Sequence, residues 1–235
     1  MGNHLDINIK GFLESSFLDW PGQIASVIFL AGCNFRCPFC HNYGLVLNPE
    51  KFPSIKWDDV KARLNKFKGW IDGVVITGGE PTINRGLAGL IREIRASSFK
   101  VKLDTNGSRP EVLADLLDQG LLDHVAMDVK APLNEMAYAR AAGRTGFLNK
   151  VKESLALLRS SGIPYTLRTT VVPNLHTEDD ILLLAKQLAG VKDWKLQYFN
   201  PENALDCSFR SLEPMDRDFF NLIDKKAHQI LKLSA

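Results

Sequence analysis

The sequence has little of three features that would place it in a specialised class of protein. Its 235 residues include only 4 cysteines, which is too few for the disulfide framework of a small secreted domain. It has no apolar run of about 18 residues, so no transmembrane helix is predicted. Its formal net charge is only +2, so we do not expect the dense basic surface that binds nucleic acid.

The amino-terminal sequence also lacks the features of a signal peptide. MGNHLDINIKG has neither an apolar central region nor a small-residue cleavage site. We therefore expect a cytoplasmic protein that binds neither nucleic acid nor a membrane. Disulfides are rare in the reducing cytoplasm, so clustered cysteines there indicate a metal-binding or catalytic role.

Six apolar segments that favour strands alternate with segments of helical periodicity. The predicted strands are residues 25–30, 73–77, 99–103, 124–129, 165–172 and 194–199, and the predicted helices are residues 54–70, 86–97, 111–119, 150–160, 179–188 and 216–233. This β–α order with short loops is typical of a parallel sheet covered by helices. We predict an α/β fold, an incomplete (β/α)6 TIM-like barrel, with a doubly wound sheet as the alternative. Residues 25–235 would form one domain, and residues 1–24 an N-terminal extension packed on the barrel.

One face of four successive predicted strands is polar. Because strand residues alternate between faces, apolar helices can cover only the other side of these strands. The polar face comprises Lys100, Lys102, Asp104, His124, Asp128, Lys130, Thr166, Arg168, Thr170, Lys195 and Gln197. Either these strands lie at a solvent-exposed edge, or the face lines a barrel interior that holds a polar ligand. We favour the second interpretation, since buried charges without partners are costly.

Three cysteines lie close together at Cys33, Cys37 and Cys40. Structural zinc usually needs four ligands, which His41 could complete. A haem attached at Cys37-Pro-Phe-Cys40-His41 would leave Cys33 unused, and a redox dithiol would leave one cysteine over. An iron–sulfur cluster is held by cysteine thiolates, and three ligands would leave one iron open for a substrate or cofactor. The spacing favours the cluster, and the other sites remain alternatives.

Several motifs together resemble one enzyme family. Residues 33–40, following a strand, resemble the cluster loop of radical S-adenosylmethionine (SAM) enzymes, and Gly78-Gly79-Glu80-Pro81 resembles their GGEP motif. Further segments resemble the anaerobic ribonucleoside-triphosphate reductase activating protein family, which is related to pyruvate formate-lyase activase. These segments, between residues 10 and 200, are FLDWPG, FLAGCNFRCPFCHN, GVVITGGEPT, KLDTNGS, AMDVKAP, LRTTVVP and LQYF.

The resemblance implies a particular chemistry. Cys33, Cys37 and Cys40 would hold a [4Fe–4S] cluster whose open iron binds SAM. Reductive cleavage of SAM would give a 5′-deoxyadenosyl radical, which makes a glycyl radical on a partner enzyme. The expected partner is anaerobic ribonucleoside-triphosphate reductase, and the expected electron donor is of the flavodoxin or ferredoxin type. No side-chain base is needed, so His41 and His124 are expected to be structural.

Two alternatives to this activity remain. One is a radical SAM enzyme that acts on a small molecule, and the other is a non-enzymatic zinc or iron–sulfur binding module.

The resemblance also assigns residues to SAM at the first two motifs. Phe39 is expected to pack beside the adenine, although simple packing within the loop is the alternative. Gly78, Gly79 and Glu80 are expected to bind the amino group, and a tight βα turn capped by Glu80 is the structural alternative. Two glycines at a strand end allow close backbone approach to a ligand, and a carboxylate can accept a charge-assisted hydrogen bond from an ammonium.

Five more residues are assigned to SAM on the polar strands. Asp104 and Thr105 match residues at the SAM site, where a monovalent cation can also bind. Asp128 would help to bind the amino group or that cation. Lys130 would pair with the SAM carboxylate, and Arg168 would lie near the ribose or the carboxylate. In the structural alternative, the two aspartates instead form ion pairs with neighbouring basic residues.

Overall fold

A seven-stranded sheet forms the centre of the molecule. The computed structural model describes residues 6–233, and its strands are β1 (Ile9–Ser16), β2 (Ala25–Leu30), β3 (Gly73–Gly78), β4 (Lys100–Thr105), β5 (His124–Asp128), β6 (Tyr165–Val171) and β7 (Trp194–Tyr198). They lie side by side in chain order. Strands β2 to β7 are parallel, and β1 is antiparallel to β2. β1 and β7 are the two edges, so the sheet is open and the predicted incomplete barrel is confirmed.

Helices follow each of the parallel strands along the chain. They are α1 (Tyr43–Leu47), α2 (Trp57–Lys66), α3 (Leu87–Ala96), α4 (Pro110–Asp118), α5 (Glu135–Ala142), α6 (Leu148–Ser160), α7 (Glu178–Gln187), α8 (Cys207–Arg210) and α9 (Arg217–Leu233), with 3-10 turns at Pro49–Lys51 and Pro81–Ile83. All six predicted helices are present, whereas the short helices α1, α5 and α8 were not predicted. No helix within residues 6–233 is long and apolar enough to cross a membrane.

Strand β1 was not predicted from the sequence. It lies in the expected N-terminal extension, of which residues 1–5 are outside the described residues. Phe12 pairs with Ile28 of β2, and the register is irregular towards both ends of the pairing. At Gly11, an added Cβ would lie 3.1 Å from the Phe29 ring. Pairing with β2 therefore sets the geometry of this half-exposed strand. Its own sequence shows no clear alternation of polar and apolar residues.

The inner face of the sheet has an apolar floor. Trp20, which is buried, packs against Ala25, Val27 and Val75. The carbonyl of Asp19 accepts a hydrogen bond from the Lys102 ammonium of β4. The loop between β1 and β2 thus closes the end of the barrel at which the parallel strands begin.

Polar residues occupy the inner face beyond this floor. Strand pairing places Lys102 beside His124, Asp128 beside Arg168, and Thr170 beside Gln197 on one face. Lys102 and Asp104 are buried, as expected for a polar interior. Gln197 on the edge strand and Lys100 at the start of β4 are exposed, so the solvent-exposure interpretation holds at these two positions.

Candidate active site: a cysteine loop facing a row of charges

A cavity of about 280 Å³ lies where the parallel strands end. Ligand sites of open α/β sheets are generally found at this end of the strands. Eleven of the twelve predicted site residues line the cavity: Cys33, Cys37, Cys40, Phe39, Gly78, Gly79, Asp104, Thr105, Asp128, Lys130 and Arg168. Glu80 does not. His41, Asn106, Thr170 and Gln197 are among the further lining residues.

The cysteine loop, residues 31–42, is braced by the unpredicted helix α5. The Arg36 backbone N–H donates to the carbonyl of Ala142 over 2.8 Å. The Arg36 guanidinium donates to the carbonyl of Cys33 over 2.7 Å. A Cβ on Gly143, which follows the helix with a left-handed φ of +63°, would lie 2.0 Å from the Arg36 carbonyl oxygen. Glycine therefore allows the helix end to approach the loop closely.

The segment after β7 braces the other side of the cysteine loop. The Asp206 N–H donates to the carbonyl of Pro38 over 2.9 Å. His41 Nε2 donates to the carbonyl of Asn200 over 2.6 Å. The Arg210 guanidinium lies 5.0 Å from the centre of the Tyr43 ring. His41 thus has a structural contact, although it also borders the cavity.

Burial makes the three thiols of the loop weak acids. Loss of water raises the pKa of Cys33 to about 11 and that of Cys37 to about 12. The pKa of Cys40 is also raised by burial, and Lys130 opposes the effect in part. A redox dithiol depends on a lowered thiol pKa, so these values disfavour that alternative. A bound metal centre supplies the positive charge that displaces such protons.

The zinc alternative requires ligands gathered around one ion. Within residues 6–233, no three or more histidine, cysteine, aspartate or glutamate side chains are grouped so that they could hold a single metal ion.

Gly78 and Gly79 bring the end of β3 against the start of the cysteine loop. Gly78 has a φ of +117°, and an added Cβ would lie 2.3 Å from the Leu30 carbonyl oxygen. At Gly79, an added Cβ would lie 1.8 Å from the Gly32 carbonyl oxygen. That oxygen accepts a hydrogen bond of 2.8 Å from the Glu80 N–H. Gly78 and Gly79 therefore allow the backbone at the end of β3 to approach the backbone of the cysteine loop closely. Both glycines also line the cavity.

Glu80 is buried behind the cavity and joins the ends of two strands. One carboxylate oxygen accepts from the Thr82 N–H and hydroxyl at 3.1 and 2.5 Å, and from the Thr105 hydroxyl at 2.7 Å. The other accepts from the Asn106 N–H at 2.6 Å. Burial raises the Glu80 pKa, while these donors oppose the shift. Because Glu80 does not line the cavity, the expected contact with a SAM amino group would require its side chain to move.

Asn106 is a contact of the cysteine loop that the sequence did not reveal. Its side-chain amide lies 3.8 Å from Cys33 Sγ and donates to Asn34 Oδ1 over 3.0 Å. The Asn34 amide in turn donates to the Ser108 hydroxyl over 2.7 Å. The Asn106-Gly107 sequence after β4 indicates a turn, but it does not indicate the contact with the cysteine loop, which is distant in sequence.

Five alternating charges form a row, and four of them line one wall of the cavity. In order they are Lys102, Asp104, Arg168, Asp128 and Lys130, and the contacting N···O distances are 3.1, 2.8, 2.9 and 2.8 Å. Burial alone would raise the pKa of Asp128, but Arg168 and Lys130 outweigh it and hold that pKa at about 2. Asp128 in turn raises the pKa of Lys130 against the effect of burial. The ion pairs of the structural alternative are therefore present, and all of these side chains except Lys102 also line the cavity.

Phe39 contributes the apolar surface between the thiols and this charge row. It is buried, and its ring centre lies 5.8 Å from Lys130 Nζ. It therefore packs within the loop and also borders the cavity.

This combination of an open parallel barrel and a cysteine loop matches a known class of protein. The family model described as Radical SAM superfamily matches residues 27–188. The chain belongs to this superfamily, whose members use an iron–sulfur cluster and SAM.

Two named relatives narrow the comparison. The chain is 32% identical over 216 residues to a Methanocaldococcus jannaschii protein named "Putative glycyl-radical enzyme activating enzyme", with 89% of this chain and 87% of that protein aligned. It is 23% identical over 242 residues to the pyruvate formate-lyase-activating enzyme of Clostridium pasteurianum, with 95% and 98% aligned.

A solved structure shows the same fold. The chain resembles Streptococcus suis SuiB bound to the precursor peptide SuiA, with a TM-score of 0.65 and 16% identity over 88% of this chain and 46% of that longer one.

Proposed function

We propose that this protein is a glycyl-radical enzyme activating enzyme. One observation carries the proposal: the cavity has three thiols at one end and a row of buried charges along its wall. The three thiols suit an iron–sulfur cluster with an open iron, and the row of charges suits the amino and carboxylate groups of SAM. The alignment with the M. jannaschii protein supports the choice of a protein substrate.

The residues that would hold these groups are those predicted from the sequence. Cys33, Cys37 and Cys40 would bind three irons. Lys130, whose pKa is raised by Asp128, stays protonated and would pair with the SAM carboxylate. Asp128 would then keep its contact with Arg168 through one oxygen and accept from the SAM amino group through the other.

Other residues would position SAM. Phe39 would pack against the adenine, and the backbone of Gly78 and Gly79 would lie beside the methionine part. Asp104 and Thr105 border the same end of the cavity, and Arg168 lies within reach of a ribose or carboxylate. Glu80 lies behind the cavity and would contribute indirectly, by holding the loops after β3 and β4 in place.

When bound, the cluster and SAM supply one-electron cleavage of a sulfonium, which yields a carbon radical able to take a hydrogen atom from a glycine α-carbon. The protein has no proton to transfer in this chemistry. Its own residues hold SAM in place and limit the access of water. The apolar floor at Trp20 closes one end of the barrel, so a protein substrate would enter from the cavity side, where Gln197 is exposed.

The partner and setting follow from the sequence resemblance. Anaerobic ribonucleoside-triphosphate reductase is the proposed partner, a flavodoxin- or ferredoxin-type protein the proposed electron donor, and the cytoplasm the proposed location.

The test is anaerobic reconstitution with iron and sulfide, followed by reduction in the presence of SAM. We expect about four irons and four sulfides per chain, formation of 5′-deoxyadenosine, and a glycyl-radical EPR signal with the partner. Cys37→Ser should abolish all three. Cys207→Ser should not, because Cys207 is an exposed thiol outside the loop.

Each failure points to a different error. SAM cleavage without a glycyl-radical signal would contradict the assigned partner, and turnover of a small molecule would contradict the activase proposal. A colourless protein that retains one zinc would contradict the cluster.

A further inference from the structure

Both aspartates of the charge row are already in contact with basic side chains of the protein. Asp104 contacts Lys102 Nζ at 3.1 Å through one oxygen and Arg168 at 2.8 Å through the other. Asp128 contacts Arg168 at 2.9 Å and Lys130 at 2.8 Å. A nitrogen cation of the protein therefore lies beside each of the four carboxylate oxygens.

The charge of the row leads to the same conclusion. Its three basic and two acidic side chains sum to +1. The row thus suits a ligand that brings a carboxylate of its own, and it disfavours an alkali ion that arrives without one at this low-dielectric position. The residues present therefore do not fit the monovalent cation that the resemblance allows at Asp104 and Asp128.

Lys102 is the member of the row that points away from the ligand space. It is buried on β4, does not line the cavity, and donates its hydrogen bond to the Asp19 carbonyl in the barrel floor. The Asp104 oxygen facing it is buried and has no well-aligned hydrogen-bond donor within residues 6–233. The ammonium charge, held 3.1 Å away, is thus the compensation that this oxygen receives.

We propose that the Lys102 ammonium replaces the monovalent cation, so that this protein binds SAM without an alkali ion. Lys102 is a positioning residue: it fixes the charge and orientation of Asp104, which borders the ligand. When Lys130 turns towards the SAM carboxylate, Asp104 stays neutralised by Lys102 and Arg168. The inference rests on the proposed SAM site.

The experiment measures SAM binding to the reconstituted, unreduced holoprotein by equilibrium dialysis. The salts are choline chloride, sodium chloride and potassium chloride at equal ionic strength, so that only the size of the cation differs. We expect the dissociation constant of the wild type to change by less than about twofold among them, because no alkali ion takes part.

Lys102→Met is the informative variant. Removing the buried ammonium leaves the Asp104 oxygen without compensation, so we expect SAM affinity in choline to fall by about tenfold, the scale of one buried polar group left unpaired. Sodium or potassium should restore part of it by occupying the vacated position beside the carboxylate. Lys100→Met is the matched control on the same strand and face. Lys100 is exposed and donates to the Gln23 side chain over 3.2 Å, so this variant should behave as the wild type.

Two results would overturn the inference. One is a wild type whose SAM affinity rises several-fold with sodium or potassium. The other is Lys102→Met binding SAM in choline as tightly as the wild type. The wild-type comparison needs no variant, so the inference stays testable even where Lys102→Met fails to fold. A wild type that binds no SAM in any salt would instead refute the proposed function, and the inference with it.

Discussion

Replacing Gly79 with alanine tests whether the contact between β3 and the cysteine loop shapes the site. The added Cβ would lie 1.8 Å from the Gly32 carbonyl oxygen, whereas such atoms do not approach within 3.0 Å. The two backbones must therefore separate by more than 1 Å. Overpacking of this kind costs about 1–3 kcal/mol, and loss of the hydrogen bond from the Glu80 N–H to Gly32 adds about 1 kcal/mol. We expect Gly79→Ala to lose about 2–4 kcal/mol of unfolding free energy.

The assay is thermal unfolding of the cluster-free, reduced protein followed by circular dichroism. At about 2–4 °C per kcal/mol for a chain of this size, the midpoint should fall by roughly 4–16 °C. Because Gly32 adjoins Cys33, reconstitution of Gly79→Ala should also leave it short of iron. Gly162→Ala is the control: its φ is +74°, and no atom lies within 4 Å of the added Cβ. It should cost about 1–2 kcal/mol of backbone strain and bind iron normally.

The reasoning is refuted by either of two results. In one, Gly79→Ala retains the wild-type midpoint and iron content. In the other, Gly162→Ala loses as much iron as Gly79→Ala does.

Three further predictions concern other parts of the molecule. Asp128→Asn should lower the unfolding free energy, measured with urea at pH 7, by about 2 kcal/mol. This value follows from the lowering of the Asp128 pKa from 3.8 to about 2, at about 1.4 kcal/mol per unit of pKa. A carboxyl group whose pKa is lowered in the folded state stabilises the protein at pH values above its unfolded-state pKa. The difference in unfolding free energy between the wild type and Asp128→Asn should therefore shrink as pH falls from 3.8 towards 2. A constant difference would contradict the prediction. Asn106→Asp replaces the amide near Cys33 with a negative charge. It should therefore lower the reduction potential of the reconstituted cluster by roughly 40 mV, equivalent to ~1 kcal/mol for one hydrogen bond. An unchanged potential in an EPR-monitored titration would show that the amide has no role. Thr177→Ala removes the hydroxyl that accepts from the Asp180 N–H at the start of α7, so the unfolding free energy should fall by about 1 kcal/mol with no change in iron content.

The parallel strands could be predicted because each is a short apolar run that ends at glycine, proline or a charged turn. Strand β1 could not, since it is half exposed and takes its geometry from pairing with β2. Helix α5 had local signals that were missed. The Asn134 side chain accepts from the Ala137 N–H at its start, and Gly143 follows its end with a left-handed φ. Its eight residues are too few to establish a clear helical period.

The cavity lining was largely predictable, because two sequence motifs and the alternation of strand residues identify it directly. The partners of Glu80 were not. The motif suggests a carboxylate facing a ligand, whereas Thr105 and Asn106 from the neighbouring strand take up both of its oxygens. Similarly, nothing in the residues near Cys37 indicates that Ala142 and Asp206 support the loop. Contacts between segments distant in sequence decide these details, and periodicity contains no information about them.

The two braces of the cysteine loop have a consequence for biosynthesis. The cysteines leave the ribosome early, but two of the loop's backbone hydrogen bonds are formed with Ala142 and Asp206, which are synthesised much later. A nascent chain that ends before Asp206 therefore exposes three thiols on an incompletely supported loop. Metal insertion is accordingly expected after translation of the last strand, and truncation beyond β7 should impair cofactor loading even though every predicted ligand is still present.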